Sequence, residues 1–149
     1  MSLLMSFPSR LALALSASLM ALAPLAAPVA AQEAGSFDLE LNNLEAVDGA
    51  CRLTFVAFNA TGVDLAQTSY DVAVFDAGGA VSDRLILEFG HLPPDKTRVV
   101  QFLLNRGCDQ ISRLLLNEAE ECLDGSGQSS RICMQALNAS SRADVLFGS

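Results

Sequence analysis

The chain has no tryptophan, one tyrosine (Tyr70), one histidine (His91) and one lysine (Lys96). Each scarcity removes a class of chemistry. A single histidine cannot build a His-rich metal centre. Without tryptophan, and with one tyrosine, there is no aromatic platform on which a sugar would stack. No G-x-S-x-G elbow is present for a histidine to serve, so His91, set between Gly90 and Leu92-Pro93-Pro94, is expected as a solvated loop residue. The calcium-loop spacing D-x-[DN]-x-[DN]-G and a glycine-rich phosphate loop after a strand are both missing. The expectation is a non-enzymatic chain with no catalytic residue, no cofactor and no metal. Positive charge is also scarce: 9 Lys and Arg stand against 17 Asp and Glu, for a net charge of −8. That balance is repelled by phosphate backbones and anionic lipid, which excludes nucleic acid and leaves a basic protein as the charged partner. The plainer role of the acidity is solubility.

What is present begins with an export signal. Arg10 is the only charge before Glu33, and a run rich in Ala and Leu follows from Leu11 to Leu25. Pro24, Pro28 and the small residues Val29-Ala30-Ala31 then lead to Gln32. A positive start, an apolar middle and a small-x-small end predict a signal peptide over 1–31, cleaved after Ala31. Uncleaved, Leu11–Ala31 is just long enough to cross a bilayer, but the prolines and the Ala-rich end favour removal. No later segment is both long and apolar enough, so no stable membrane insertion is expected after cleavage. Residues 32–149 then form a single domain, too short for two cores. The expected location is periplasmic or secreted.

All four cysteines, Cys51, Cys108, Cys122 and Cys133, follow the signal, and an even number in an exported chain reads as two disulfides. No pair has the C-x-x-C spacing of a thioredoxin-like redox motif or a zinc ribbon. Four cysteines allow three pairings. Cys122 and Cys133 flank a Gly/Ser-rich stretch that can bring them together, which leaves Cys51 for Cys108.

Hydrophobic alternation has period two. Phe37, Leu39 and Leu41 mark a first strand, and Cys51, Leu53, Phe55 and Ala57 a second that ends at Asn59-Ala60-Thr61-Gly62. Tyr70, Val72 and Val74 mark a third, running into the hairpin signal Asp76-Ala77-Gly78-Gly79 and a return strand Val81–Phe89. Leu92-Pro93-Pro94-Asp95-Lys96 breaks the chain before Thr97–Leu104, and a sixth strand is expected over Ile111–Asn117. Residues 132–137 fit either a short helix or the start of a last strand. Six or seven short strands with regular turns predict an all-β, antiparallel β-sandwich, with one short helix near residues 130–137 as the allowed exception. Phe37, Phe55, Phe75, Phe89, Phe102 and Phe147 are expected to fill its core.

The runs F-N-A-T-G-V-D-L, Y-D-V-A-V-F-D-A-G-G-A-V and L-P-P-D-K-T-R-V-V-Q-F, within residues 58–102, resemble the FxLYD-type immunoglobulin-like domains of bacterial exported proteins. Asp95 stands where that family usually has glycine, and the eponymous string is matched loosely around Tyr70–Asp76. The resemblance implies an immunoglobulin-like sandwich that mediates contacts in the bacterial envelope, with no catalytic residues to carry over. In that setting Asn59-Ala60-Thr61 and Asn138-Ala139-Ser140 read as turn residues and not as glycosylation sites.

Glu118, Glu120, Glu121 and Asp124 form a dense acidic run ahead of Gly125-Ser126-Gly127-Gln128-Ser129-Ser130, a flexible loop by composition, and Glu118–Ser130 is expected as one acidic loop. Those four carboxylates are the expected contact points for a basic envelope partner. Two alternatives remain open at this level. One is a small hydrolase with its site on the Glu118–Ser130 loop. The other is an assembly helper that pairs an edge strand, which an exposed apolar edge would favour.

Overall fold

A computed structural model describes residues 35–149; the expected signal and its cleavage point lie outside the described residues. Eight strands and one short helix follow one another as β1 (Phe37–Val47), β2 (Ala50–Asn59), β3 (Leu65–Phe75), β4 (Val81–Glu88), β5 (Thr97–Leu104), β6 (Arg113–Asp124), α1 (Ile132–Gln135), β7 (Leu137–Ser141) and β8 (Leu146–Gly148), with a 3-10 turn at Cys108–Gln110. They form two four-stranded sheets, ordered β5-β2-β1-β7 and β4-β3-β6-β8. The fold is the expected all-β sandwich, with the short helix in place.

Local chemistry explains the strands. In β2 every second residue from Cys51 to Asn59 is buried, as the alternation in the sequence requires. β1 and β2 are joined by Asp48-Gly49, both at positive φ (50° and 83°), with Val47 opposite Ala50. Two left-handed residues in a two-residue loop make a type I′ turn, whose twist matches that of the strands. β1 therefore continues past Asn42, where the alternation lapses because the register to β2 shifts between Leu41 and Asn43.

The expected pairing sense and the expected acidic loop both need correction. The sheets are mixed: β7 runs parallel to β1, and β8 parallel to β6. Antiparallel pairing joins the other neighbours. The last two strands are short and arrive after excursions through α1 and a turn, so they join the sheet edges in the parallel sense. The second correction concerns β6, which extends to Asp124. Glu118–Asp124 is strand and not loop, and only the residues after it form the connection to α1.

The core lies between the sheets. Phe37 of β1 stacks on Tyr70 of β3 at 6.1 Å between ring centres, and Phe55 of β2 meets Phe89 edge-on at 5.8 Å. Phe102 and Phe147 pack against the same cluster. Each fully buried aromatic contributes roughly 2–3 kcal/mol of burial, so this cluster offsets the missing tryptophan. Phe75 is the exception among the six: it lies outside the core, under the Arg113 guanidinium at 5.3 Å. Both disulfides have the expected pairing, Cys51–Cys108 and Cys122–Cys133.

Asn59 is fully buried at the end of β2 and its amide is saturated. Its Nδ2 donates to the carbonyls of Val63 and Leu92, both at 2.8 Å, while its Oδ1 accepts from Thr61 N–H and Thr61 Oγ1. The first N-x-T motif is thus a buried turn clasp. The second differs from expectation, because Asn138 lies within β7 and donates to Asp38 Oδ1 at 2.8 Å.

Candidate contact face and open edge

The register of the β4-β3-β6-β8 sheet fixes what its solvent side presents. Val81, Phe75, Arg113 and Leu146 lie abreast across the four strands. Further along come Arg84, Ala73 and Leu115, then Ile86, Asp71 and Glu118, then Glu88, Ser69 and Glu121. One end of this face is mainly apolar and the other is acidic.

β6 keeps its carboxylates on that face by bulging. Its register to β3 shifts three times, and two of those shifts leave Asn117 and Glu120 as extra residues on β6. The shifts let Leu116, Ala119 and Cys122 all reach the core side while Glu118, Glu120 and Glu121 stay exposed. The Glu121 N–H is held by Ser69 Oγ at 3.1 Å.

At the middle of the face sits Asp71, a buried carboxylate that sequence reading missed. Arg84 donates to it through Nε at 3.2 Å and through a second, closer contact from Nη2, and Asn117 Nδ2 donates at 2.9 Å. The hydrogen bonds from Arg84 and then Asn117 hold the Asp71 pKa below the usual aspartate value, against the opposing effect of burial. Asp71 in turn raises the Arg84 pKa, with Glu118 and Glu120 adding smaller contributions. The signal for Asp71 was available only as its odd place in an apolar strand, Tyr70-Asp71-Val72.

Asp124 does not belong with the other three acids. Its Oδ1 accepts from Ser126 Oγ at 2.6 Å, Ser126 N–H at 2.9 Å and Gln128 N–H at 3.0 Å, and these bonds lower its pKa in that sense, the Ser126 hydroxyl first. It caps the turn after β6. That turn, expected to be flexible, is closed by Gly127 N–H to Asp124 O and Ser130 N–H to Cys122 O, both at 2.8 Å.

His91 is exposed, with Nε2 at 2.8 Å from Asp64 Oδ1. The hydrogen bonds of the described residues bring no serine hydroxyl to its ring. Among the described residues no group of three His, Cys, Asp or Glu could hold a metal ion, and no helix is long and apolar enough to cross a membrane. An open cleft of about 520 Å³ lies by the Cys51–Cys108 bridge, lined by Asn43, Asp109, Arg142 and Asp144 among others. A smaller one of about 300 Å³ joins Glu118 to Arg131 and Met134.

The lateral sides of the sandwich are unequal. β7 and β8 lie against each other on one side. On the other, β4 and β5 are sheet edges linked by Arg98 Nη1 to Phe89 O at 2.8 Å and Arg106 to Asp83 at 2.6 Å. The strongly exposed large apolar residues are Val81, Ile86, Val99, Leu103 and Leu146, and every one lies on an edge strand.

No family model matches this chain, and no curated protein matches its sequence. Among solved structures, IrmA from Escherichia coli is similar: the match covers 70 % of this chain and 91 % of that one, with a TM-score of 0.54 and 8 % identity. At that identity the likeness is one of fold alone.

Proposed function

We propose that this chain is an exported, periplasmic or secreted, non-enzymatic binding module of the bacterial envelope, and that the solvent side of the β4-β3-β6-β8 sheet receives a basic partner. The observation that carries the reading is the arrangement of Glu118, Glu120 and Glu121 as exposed carboxylates along a central strand, beside Asp71 and Arg84. A strand holds charge more rigidly than a loop, so less side-chain and backbone freedom is lost on contact. The FxLYD-type resemblance and the cleavage after Ala31 belong to the same reading. Two disulfides support it, since such bridges persist in oxidising compartments.

Charged contacts of this kind act on association rate and weaken with salt. The test is crosslinking in producing cells with mass identification of partners, for the parent and for a variant with Glu118, Glu120 and Glu121 all changed to Gln. The variant keeps its melting temperature and loses the basic partners, most at low ionic strength. Equal capture across a salt series overturns the contact face. Loss of a hydrolytic activity in the variant favours the hydrolase alternative instead.

A further inference from the structure

The geometry points to the free edge of β5 as a second binding surface, one that takes an extended, acidic, apolar-alternating segment of another protein as an added strand. β5 is the terminal strand of its sheet, and its pairing to β2 runs without a register shift from Thr97 to Leu104. Its solvent-side residues are Val99 and Leu103, each 62 % exposed, with Gln101 between them. Natural edges are usually blunted by a bulge, a proline or inward charge. β5 has no bulge and no proline; its one charge, Arg98, is on the inward side with Val100 and Phe102, and is drawn across to the Phe89 carbonyl, leaving the outer row uncharged. β4, the neighbouring edge, is interrupted by a register shift and carries Asp83, Arg84 and Glu88.

Charge selects the occupant. From Lys96 to Gly107 the chain holds Lys96, Arg98 and Arg106 and no carboxylate, in a molecule that is otherwise acidic. Lys96 and Arg98 are in no ion pair among the described residues, whereas Arg106 is neutralised by Asp83. A second copy of β5 is disfavoured as the occupant. Antiparallel self-pairing centred on Gln101 sets Lys96 of one copy opposite Arg106 of the other, which Asp83 already neutralises, so Lys96 gains no counter-charge there; parallel self-pairing brings Arg98 beside Arg98. A foreign strand with carboxylates near its end at Lys96 gains an ion pair that a second copy does not offer, and its alternate apolar side chains cover Val99 and Leu103. Main-chain hydrogen bonds then supply affinity and the side chains supply selection. This surface is separate from Glu118, Glu120 and Glu121, so either can fail without the other.

The test uses the mature chain with both disulfides intact and a synthetic peptide of roughly nine residues, alternating Val and Thr and ending in two Glu, enough to span an edge strand. Backbone amide exchange is followed residue by residue. The peptide slows exchange along β5, and the same peptide with Lys in place of Glu binds about threefold or more weakly. Lys96→Glu removes that preference. Val99→Lys with Leu103→Lys abolishes protection without lowering the melting temperature, since both positions face solvent. Protection on β4 or β8 instead of β5, or equal binding of the Glu and Lys peptides, overturns the assignment. Protection of β5 that grows with protein concentration and needs no peptide overturns it in favour of self-association.

Discussion

The Tyr70 hydroxyl donates to the Cys133 carbonyl at 2.7 Å, with both residues fully buried. Tyr70 is on central strand β3, and Cys133 is in α1, bridged to Cys122 on β6. A helix of four residues does not persist on its own propensity. Its place is set by these two ties and by Ile132 and Met134 packing on the core. Burial pushes the Tyr70 pKa up, so the hydroxyl stays a neutral donor in the folded state.

Tyr70→Phe therefore leaves a buried carbonyl without its partner while keeping the ring. The expected cost is about 1–2 kcal/mol in urea unfolding. Replacing Cys122 and Cys133 by Ala costs roughly 3 kcal/mol. Because both changes release α1, the combined variant loses less than the sum of the two. Strict additivity means that the tyrosine and the bridge do not share a role.

Asp95 occupies a left-handed position, φ 59°, in a turn closed by Lys96 N–H to Pro93 O at 3.2 Å. With Pro94 before it, this is the place where a type II turn favours glycine. Asp95→Gly relieves that strain and loses part of the gain to chain entropy, for a net stabilisation of about 0.5–1 kcal/mol. Thermal unfolding shows it as a rise of roughly 2–4 °C. A lower melting temperature shows that Asp95 fits its turn better than glycine.

The parts of the fold legible in sequence are those where alternation is unbroken. Leu39 and Leu41, the β2 residues and the turn at Asp76 all follow local rules of pleat and turn chemistry. β1 and β6 are misread for a shared reason: a bulge inserts a residue and breaks the period. At Asn42 the break hid the second half of β1, although Asp48-Gly49 is a strong hairpin signal. At Asn117 and Glu120 it made a strand look like an acidic loop. Asp71 was illegible because its neighbours Arg84 and Asn117 come from other strands. The parallel edges β7 and β8 depend on long-range placement that no local pattern encodes.

Asn59 tests how much of the turn clasp rests on one amide. Asn59→Asp replaces two donors with an acceptor that faces the Val63 and Leu92 carbonyls, in a site with no exposure. The loss is about 3 kcal/mol or more, since two buried carbonyls lose partners and a charge is buried. Thr61→Ala removes the Oγ1 bond to Asn59 and costs about 1 kcal/mol. Denaturant midpoints rank the two. An Asn59→Asp protein as stable as the parent means that the clasp does not hold the β2 end.

The acid limb of stability depends on Asp71, with Glu40 and Asp124 acting in the same sense. All three have pKa values lowered in the folded state: Asp71 by Arg84 and Asn117, Glu40 by Asn42 and then Arg142, Asp124 by Ser126 and then Gln128. A lowered folded-state pKa means that the unfolded chain binds protons first as pH falls. Their contribution is complete above the ordinary carboxylate range, about pH 4, and is lost as pH drops through the lowered values. Asp71→Asn keeps the shape and removes the charge that Arg84 and Asn117 bind. The variant is less stable than the parent at neutral pH, and the two curves draw together in acid as Asp71 of the parent takes up its proton. Urea unfolding from about pH 7 down to pH 2 measures the gap. A gap that stays constant across that range shows that the charge on Asp71 contributes nothing to folding, and that only its hydrogen-bonding shape matters.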